Sequence, residues 1–167
     1  MFPKDIEAAA DRLLKACRDR DLWVTTAESC TGGLLGAALT SAPGTSAVFD
    51  RGFITYSNAA KVVLLGVPED LLDRHGAVSP EVARAMASGA KEKAGADIGI
   101  GVTGVAGPGG GSEGKPIGLV HFGLALANGS VVHHEKRFGD LGRDKVRLEA
   151  VRYGLELLVD AASRKTD

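Results

Sequence analysis

The segment Trp23-Val-Thr-Thr-Ala-Glu-Ser-Cys-Thr-Gly-Gly33 joins an apolar strand pattern to a helical one through a serine and two glycines. Sheet and helix brought together by so short a turn bury their apolar faces best as stacked layers. The turn also has chemical content. A serine there can point its hydroxyl out at the end of the sheet, and backbone N–H groups at the helix start face the same space.

The rest of the chain repeats the alternation. Ile6, Ala10, Leu13, Leu14 and Cys17 recur at helical spacing within residues 4–20, and residues 22–27 read as a strand. Residues 31–40 read as a helix, 41–46 as a turn cluster and 49–56 as a second strand. Helices are expected at 58–65, ending at Gly66, at 69–74, and from Ser79 to Lys93, where serine caps and Pro80 follows at the first helical position. Ile98-Gly-Ile-Gly-Val102 lies in a strand over 97–103. Residues 116–127 and 131–138 form a hairpin, with Asn128-Gly129 as a type I′ signal, and 143–162 close the chain as a helix. Helices flank and interrupt the strands, which predicts an α/β fold: a three-layer α/β/α sandwich with a mixed, mostly parallel sheet. No linker or repeat appears, so residues 1–167 are expected to form a single domain.

Composition narrows the function. The 167 residues are 44% hydrophobic, enough for one real core. Twenty basic and 21 acidic residues give a net charge of -1, without the footprint of a nucleic-acid or anionic-membrane binder, so no nucleic-acid partner is expected. The two cysteines and four histidines lack zinc-ligand spacing, so neither metal nor cofactor is expected. Met-Phe-Pro-Lys-Asp carries no apolar signal region, and no run approaches ~18 apolar residues. The chain reads as reduced and cytoplasmic, with no membrane association.

Four constellations could carry chemistry. Ser29 reads either as a helix N-cap or as a nucleophile, and Thr31-Gly32-Gly33 would let a ligand approach the backbone closely. Tyr56-Ser-Asn-Ala-Ala-Lys61 follows the second strand. Lys61 is either a solvated surface group or an amine kept neutral by apolar neighbours, and a neutral amine is a general base for Ser29. Tyr56 would orient that lysine or hold substrate, or be a half-buried strand residue. Thr103 opens a loop rich in glycine, including Gly104, Gly107 and Gly109, whose amides could face an anion, though a merely flexible loop fits equally well. The loop is neither a Walker loop nor a dinucleotide fingerprint. Arg143 and Arg147 stand four apart on the last helix and could reach a phosphate, or pair with Asp140 and Asp144.

Taken together, Thr26–Gly33, Arg51–Asn58 with Lys61, His75–Ser79, and Gly104–Ser112 with Lys115-Pro116 resemble the CinA C-terminal domain family across essentially the whole chain. The resemblance implies a single α/β/α domain and PncC-type nicotinamide-nucleotide amidase activity. That activity hydrolyses nicotinamide mononucleotide to nicotinate mononucleotide and ammonia, in pyridine nucleotide salvage, without metal. It implies a Ser29/Lys61 dyad and site positions at Tyr56, Thr103 and an arginine of the last helix. Cys30, Thr31, Gly32 and Gly33 would lend backbone donors to the oxyanion. Glu28 would offset the pyridinium charge or make a structural hydrogen bond to backbone. The stretch Gly139-Asp-Leu-Gly-Arg143 is longer than the commoner Gly-Asp-Arg pattern, which leaves open whether Arg143 or Arg147 faces the ligand. The rival expectations are a nucleotide-binding or protein-interaction module without turnover, linked to competence or DNA damage responses, and an amidase or esterase of other specificity. The hairpin edge suggests a homodimer.

Overall fold

The computed structural model describes residues 1–164. Five strands lie in the order β2-β1-β3-β4-β5: β1 (Val24–Glu28), β2 (Phe49–Ile54), β3 (Ile98–Gly104), β4 (Leu119–Ala125) and β5 (Val131–Arg137). β1 pairs in parallel with β2 and with β3, and β4 pairs antiparallel with β3 and with β5. Only β4 therefore opposes the other strands, and the sheet is mixed with most strands running one way.

The helices divide between the two faces. α1 (Lys4–Asp19), α2 (Leu34–Thr40) and α6 (Arg143–Ser163) share one apolar core with Ile98, Ile100, Val102, Val120, Phe122 and Leu124. α3 (Asn58–Leu65), α4 (Glu69–His75) and α5 (Pro80–Ala94) cover the opposite face, with Leu65, Val67, Leu72, Val82, Met86 and Ala90 around Ala27. The alternation in Ile98-Gly-Ile-Gly-Val102 explains the asymmetry. Its isoleucines fill the larger core, and its glycines lie beneath α5. A Cβ at Gly99 or Gly101 would sit 2.6 or 2.5 Å from the carbonyls of Ala87 or Ala83, so the helix rests directly on backbone. Cys17 is buried in the larger core.

The structure revises several local expectations. α2 begins at Leu34 rather than at residue 31, because Thr31–Gly33 form a turn with Gly32 and Gly33 at φ +57° and +97°. A short 3-10 helix, Thr45–Ala47, occupies the end of the first turn cluster. The strand expected to reach residue 56 stops at Ile54, and the one expected from 116 starts at Leu119. The hairpin turn is not type I′. That type needs positive φ at both central residues, and only Gly129, at +88°, has it. Leu126 donates to the Ser130 carbonyl and Gly129 to that of Leu126, the pattern of a three-residue loop with glycine in the left-handed position. Asn128 helps in another way: its Oδ1 accepts from the Ser130 amide at 3.0 Å.

Candidate active site

The sheet order creates the location. From β1 the chain crosses to β2 on one side, while β3 pairs on the other. Such a switch point leaves a crevice beyond the carboxyl ends of the parallel strands. Ser29 follows β1 there, Thr55 and Tyr56 follow β2, and Thr103 and Gly104 end β3.

Lys61 reaches Ser29 from α3. Ser57 caps that helix, its Oγ accepting from the Ala60 amide at 3.0 Å, which fixes Lys61 in the first turn. Lys61 is 0% exposed and Ser29 is 9% exposed. The Lys61 Nζ lies 3.0 Å from Ser29 Oγ, 2.7 Å from the Thr55 carbonyl and 3.4 Å from the Tyr56 carbonyl. Burial pulls its pKa from the ordinary 10.5 down to about 8. The structure thus gives the buried alternative for this lysine.

Glu28 has its carboxylate turned away from the crevice. Its oxygens accept from the amides of Gly33 and Leu35, each at 3.0 Å, and of Gly36 at 2.7 Å. It therefore caps α2 from the end of β1, the structural alternative for this residue. Gly32 donates to the Ser29 carbonyl at 3.1 Å, and Gly33 is taken by Glu28. Among the described residues, the amides of Cys30 and Thr31 donate to no other residue, and that of Cys30 lies against its own thiol. The Thr31 hydroxyl is buried and has no partner either. Burial pushes the Cys30 thiol up to about 12, so it stays protonated and is a poor nucleophile at neutral pH.

The two arginines separate. Arg143 Nη1 donates to the Gly107 carbonyl at 2.8 Å and Nη2 to the Tyr56 hydroxyl at 3.0 Å, across the mouth of a cleft of about 260 Å³. Ser29, Cys30, Tyr56, Gly104, Gly107, Gly109 and Arg143 line that cleft. Arg147 is turned to the backbone instead: Nε donates to the Cys30 carbonyl at 3.1 Å and Nη2 to the Thr31 carbonyl at 3.2 Å. Tyr56 is 61% exposed rather than a half-buried strand residue, and its ring stands at the rim. The Thr103 hydroxyl donates to the Ala77 carbonyl at 2.8 Å, so it braces the loop before α5. Gly104 is required by packing, since a Cβ there would lie 2.7 Å from the Leu119 carbonyl.

Thr31, Gly32, Gly33, Glu28, Thr103 and Arg147 do not line the cleft. Sequence reasoning did not single out Val78, Val105, Ala106 and Gly110, which do. It also missed Thr55, which acts through its carbonyl and so leaves no side-chain signal. Among the described residues no three His, Cys, Asp or Glu are placed to hold a metal ion, and no helix is long and apolar enough to cross a membrane. His121 Nδ1 and His133 Nε2 lie 2.9 Å apart on β4 and β5, and neither histidine lines the cleft.

Residues 6–162 match the model of the CinA C-terminal domain. The chain is 51% identical to the nicotinamide-nucleotide amidohydrolase PncC of Enterobacter agglomerans, over 93% of this chain and 94% of that protein. It is also 51% identical to a CinA-like protein of Synechococcus sp. (strain RCC307), over 94% of this chain but 38% of that longer protein. Putative competence-damage inducible proteins are similarly spanned in part, as in Moorella thermoacetica, where 47% identity covers 36% of the relative. The crystal structure of the competence/damage inducible protein CihA from Agrobacterium tumefaciens superposes with a TM-score of 0.94, at 51% identity, over 96% of this chain and 98% of that one.

Proposed function

The chain belongs to the CinA C-terminal domain family, and from that premise we propose that it hydrolyses nicotinamide mononucleotide to nicotinate mononucleotide and ammonia, with Ser29 as nucleophile and Lys61 as its base. The observation that most supports this reading is the 3.0 Å separation of Lys61 Nζ from Ser29 Oγ. Support for the substrate class comes from the likeness to an amidohydrolase of nicotinamide nucleotides over nearly its whole length.

A neutral amine has two N–H donors and one lone pair. The carbonyls of Thr55 and Tyr56 take the donors, which leaves the lone pair for the Ser29 hydroxyl proton. The Ser29 oxygen attacks the carboxamide carbon as its proton passes to Lys61. The negative charge on the carboxamide oxygen is met by the amide of Cys30, which lines the cleft, such a donor typically supplying ~3 kcal/mol. The tetrahedral species collapses, the C–N bond breaks, and Lys61 gives its proton to the departing nitrogen, which leaves as ammonia. Water then attacks the ester, passing a proton to Lys61, which returns it to the Ser29 oxygen as nicotinate mononucleotide leaves. Arg143 holds the phosphate at the glycine loop, where it already lines the cleft beside Gly107 and Gly109. On the same reading the enzyme works in the cytoplasm as a homodimer.

An ammonia-release screen of the wild-type protein against nicotinamide mononucleotide, nicotinamide, NAD and glutamine tests the assignment. Release from nicotinamide mononucleotide alone is expected. Comparable release from glutamine or free nicotinamide would reassign the substrate, and binding of the mononucleotide by calorimetry without ammonia would leave a binding module.

A further inference from the structure

We propose that Arg147 is a positioning residue that sets the Ser29 turn and polarises its Cys30 amide, rather than a ligand for phosphate. The inference rests on the amidase reading for its substrate, but on hydrogen-bond geometry for its logic. Arg147 stands on α6 between the buried Val146 and Ala150, so the helix register holds its guanidinium against the turn.

Two relays start at that guanidinium. A trans peptide is planar, and its C=O and N–H point in opposite directions. Nε donates to the carbonyl of Cys30, and the N–H of that same peptide is the Thr31 amide. Nη2 donates to the carbonyl of Thr31, whose peptide N–H is that of Gly32. The Gly32 amide donates in turn to the carbonyl of Ser29, and the N–H of that peptide belongs to Cys30. The second relay ends at the cleft, on the amide of Cys30, whereas the first ends on the amide of Thr31, which is 0% exposed and stands behind the cleft wall. A cation on the carbonyl side of a peptide strengthens the N–H on its other side, and hydrogen-bonded chains pass polarisation along. The negative charge that forms on the carboxamide oxygen is thus met by a donor backed by a fixed positive charge. Gly32 completes the device: at φ +57° its backbone bends sharply, and a Cβ there would lie 3.2 Å from Arg147 Nη2.

The test compares wild type with Arg147→Met and Arg147→Lys, using nicotinamide mononucleotide and nicotinamide riboside, which lacks the phosphate. Arg147→Met is expected to lower kcat about 10- to 100-fold on both substrates with KM within about twofold. Arg147→Lys, able to serve one carbonyl, is expected to recover part of that loss. A rise in KM confined to the phosphorylated substrate, with kcat unchanged, would overturn the proposal in favour of a phosphate ligand. A second readout does not depend on the substrate: the rate at which a fluorophosphonate labels Ser29, followed by intact mass. There the Ser29 oxygen bonds phosphorus, fluoride leaves and Lys61 takes the proton. Labelling of Arg147→Met is expected to slow about 10-fold at an unchanged melting temperature. Labelling at the wild-type rate, or slowing matched by lost folded protein, overturns the relay. Wild type that is labelled but releases no ammonia from nicotinamide mononucleotide would remove the substrate assignment alone, and wild type that resists labelling would remove both.

Discussion

On the proposed dyad, Lys61 is the residue on which both energetics and chemistry turn. A lysine with 0% exposure is rare, and here burial lowers its pKa to about 8. In the proposed dyad the base is the neutral form, so kcat/KM is expected to climb with pH and level off above about 8. A profile flat from about pH 6 to about pH 9 would remove Lys61 as the base. The same shift affects stability. The folded-state pKa lies below the ordinary 10.5, so the unfolded chain binds more protons between about 8 and 10.5, and stability rises with pH across that window. Compared with Lys61→Met, the wild type should therefore gain on the order of 2 kcal/mol between about pH 7 and about pH 10, read by chemical denaturation. Lys61→Met itself should fold and release no measurable ammonia. The sequence offered this lysine only as one of two alternatives. Apolar neighbours at Val62, Val63 and Leu64 did not decide it, since Val63 and Leu64 prove exposed while Lys61 turns inward.

At the scale of elements, Glu28 and the glycines of β3 govern where the helices start and how close they come. α2 has only seven residues, and three of its first amides depend on one buried carboxylate. Glu28→Ala should lower stability by roughly 2–3 kcal/mol in thermal melts and reduce turnover as the Ser29 turn loosens. Loss of turnover with no change in stability would instead place Glu28 in contact with substrate. Gly101→Ala should destabilise by roughly 1–3 kcal/mol, because its Cβ would meet the Ala83 carbonyl of α5. Periodicity placed these helices and strands within a few residues. It misplaced the start of α2 because the cap comes from a side chain five residues before Gly33, on a strand. It misread the hairpin because Asn128-Gly129 serves equally as the end of a three-residue loop, and only tertiary geometry chooses between the two.

At the scale of the molecule, alternating helix and strand patterns were enough for the three layers, and the Asn-Gly turn for the antiparallel end of the sheet. The site was legible as separate motifs. Their convergence was not: Ser29 and Lys61 are 32 positions apart, and only the β2-β1-β3 order with α3 on one face joins them. The division of labour between Arg143 and Arg147, four residues apart on one helix, likewise needed the packed turn. β5 remains an open edge, and light scattering near twice 17.2 kDa is the expected mass of the homodimer, whereas 17.2 kDa would remove it. The most direct test of the dyad is the rate of ammonia release from nicotinamide mononucleotide by the wild type and by Ser29→Ala, measured side by side near pH 8.5. Steady release by the wild type and none above background by the folded variant is the predicted result. Near-equal release by the two proteins would contradict Ser29 as the nucleophile.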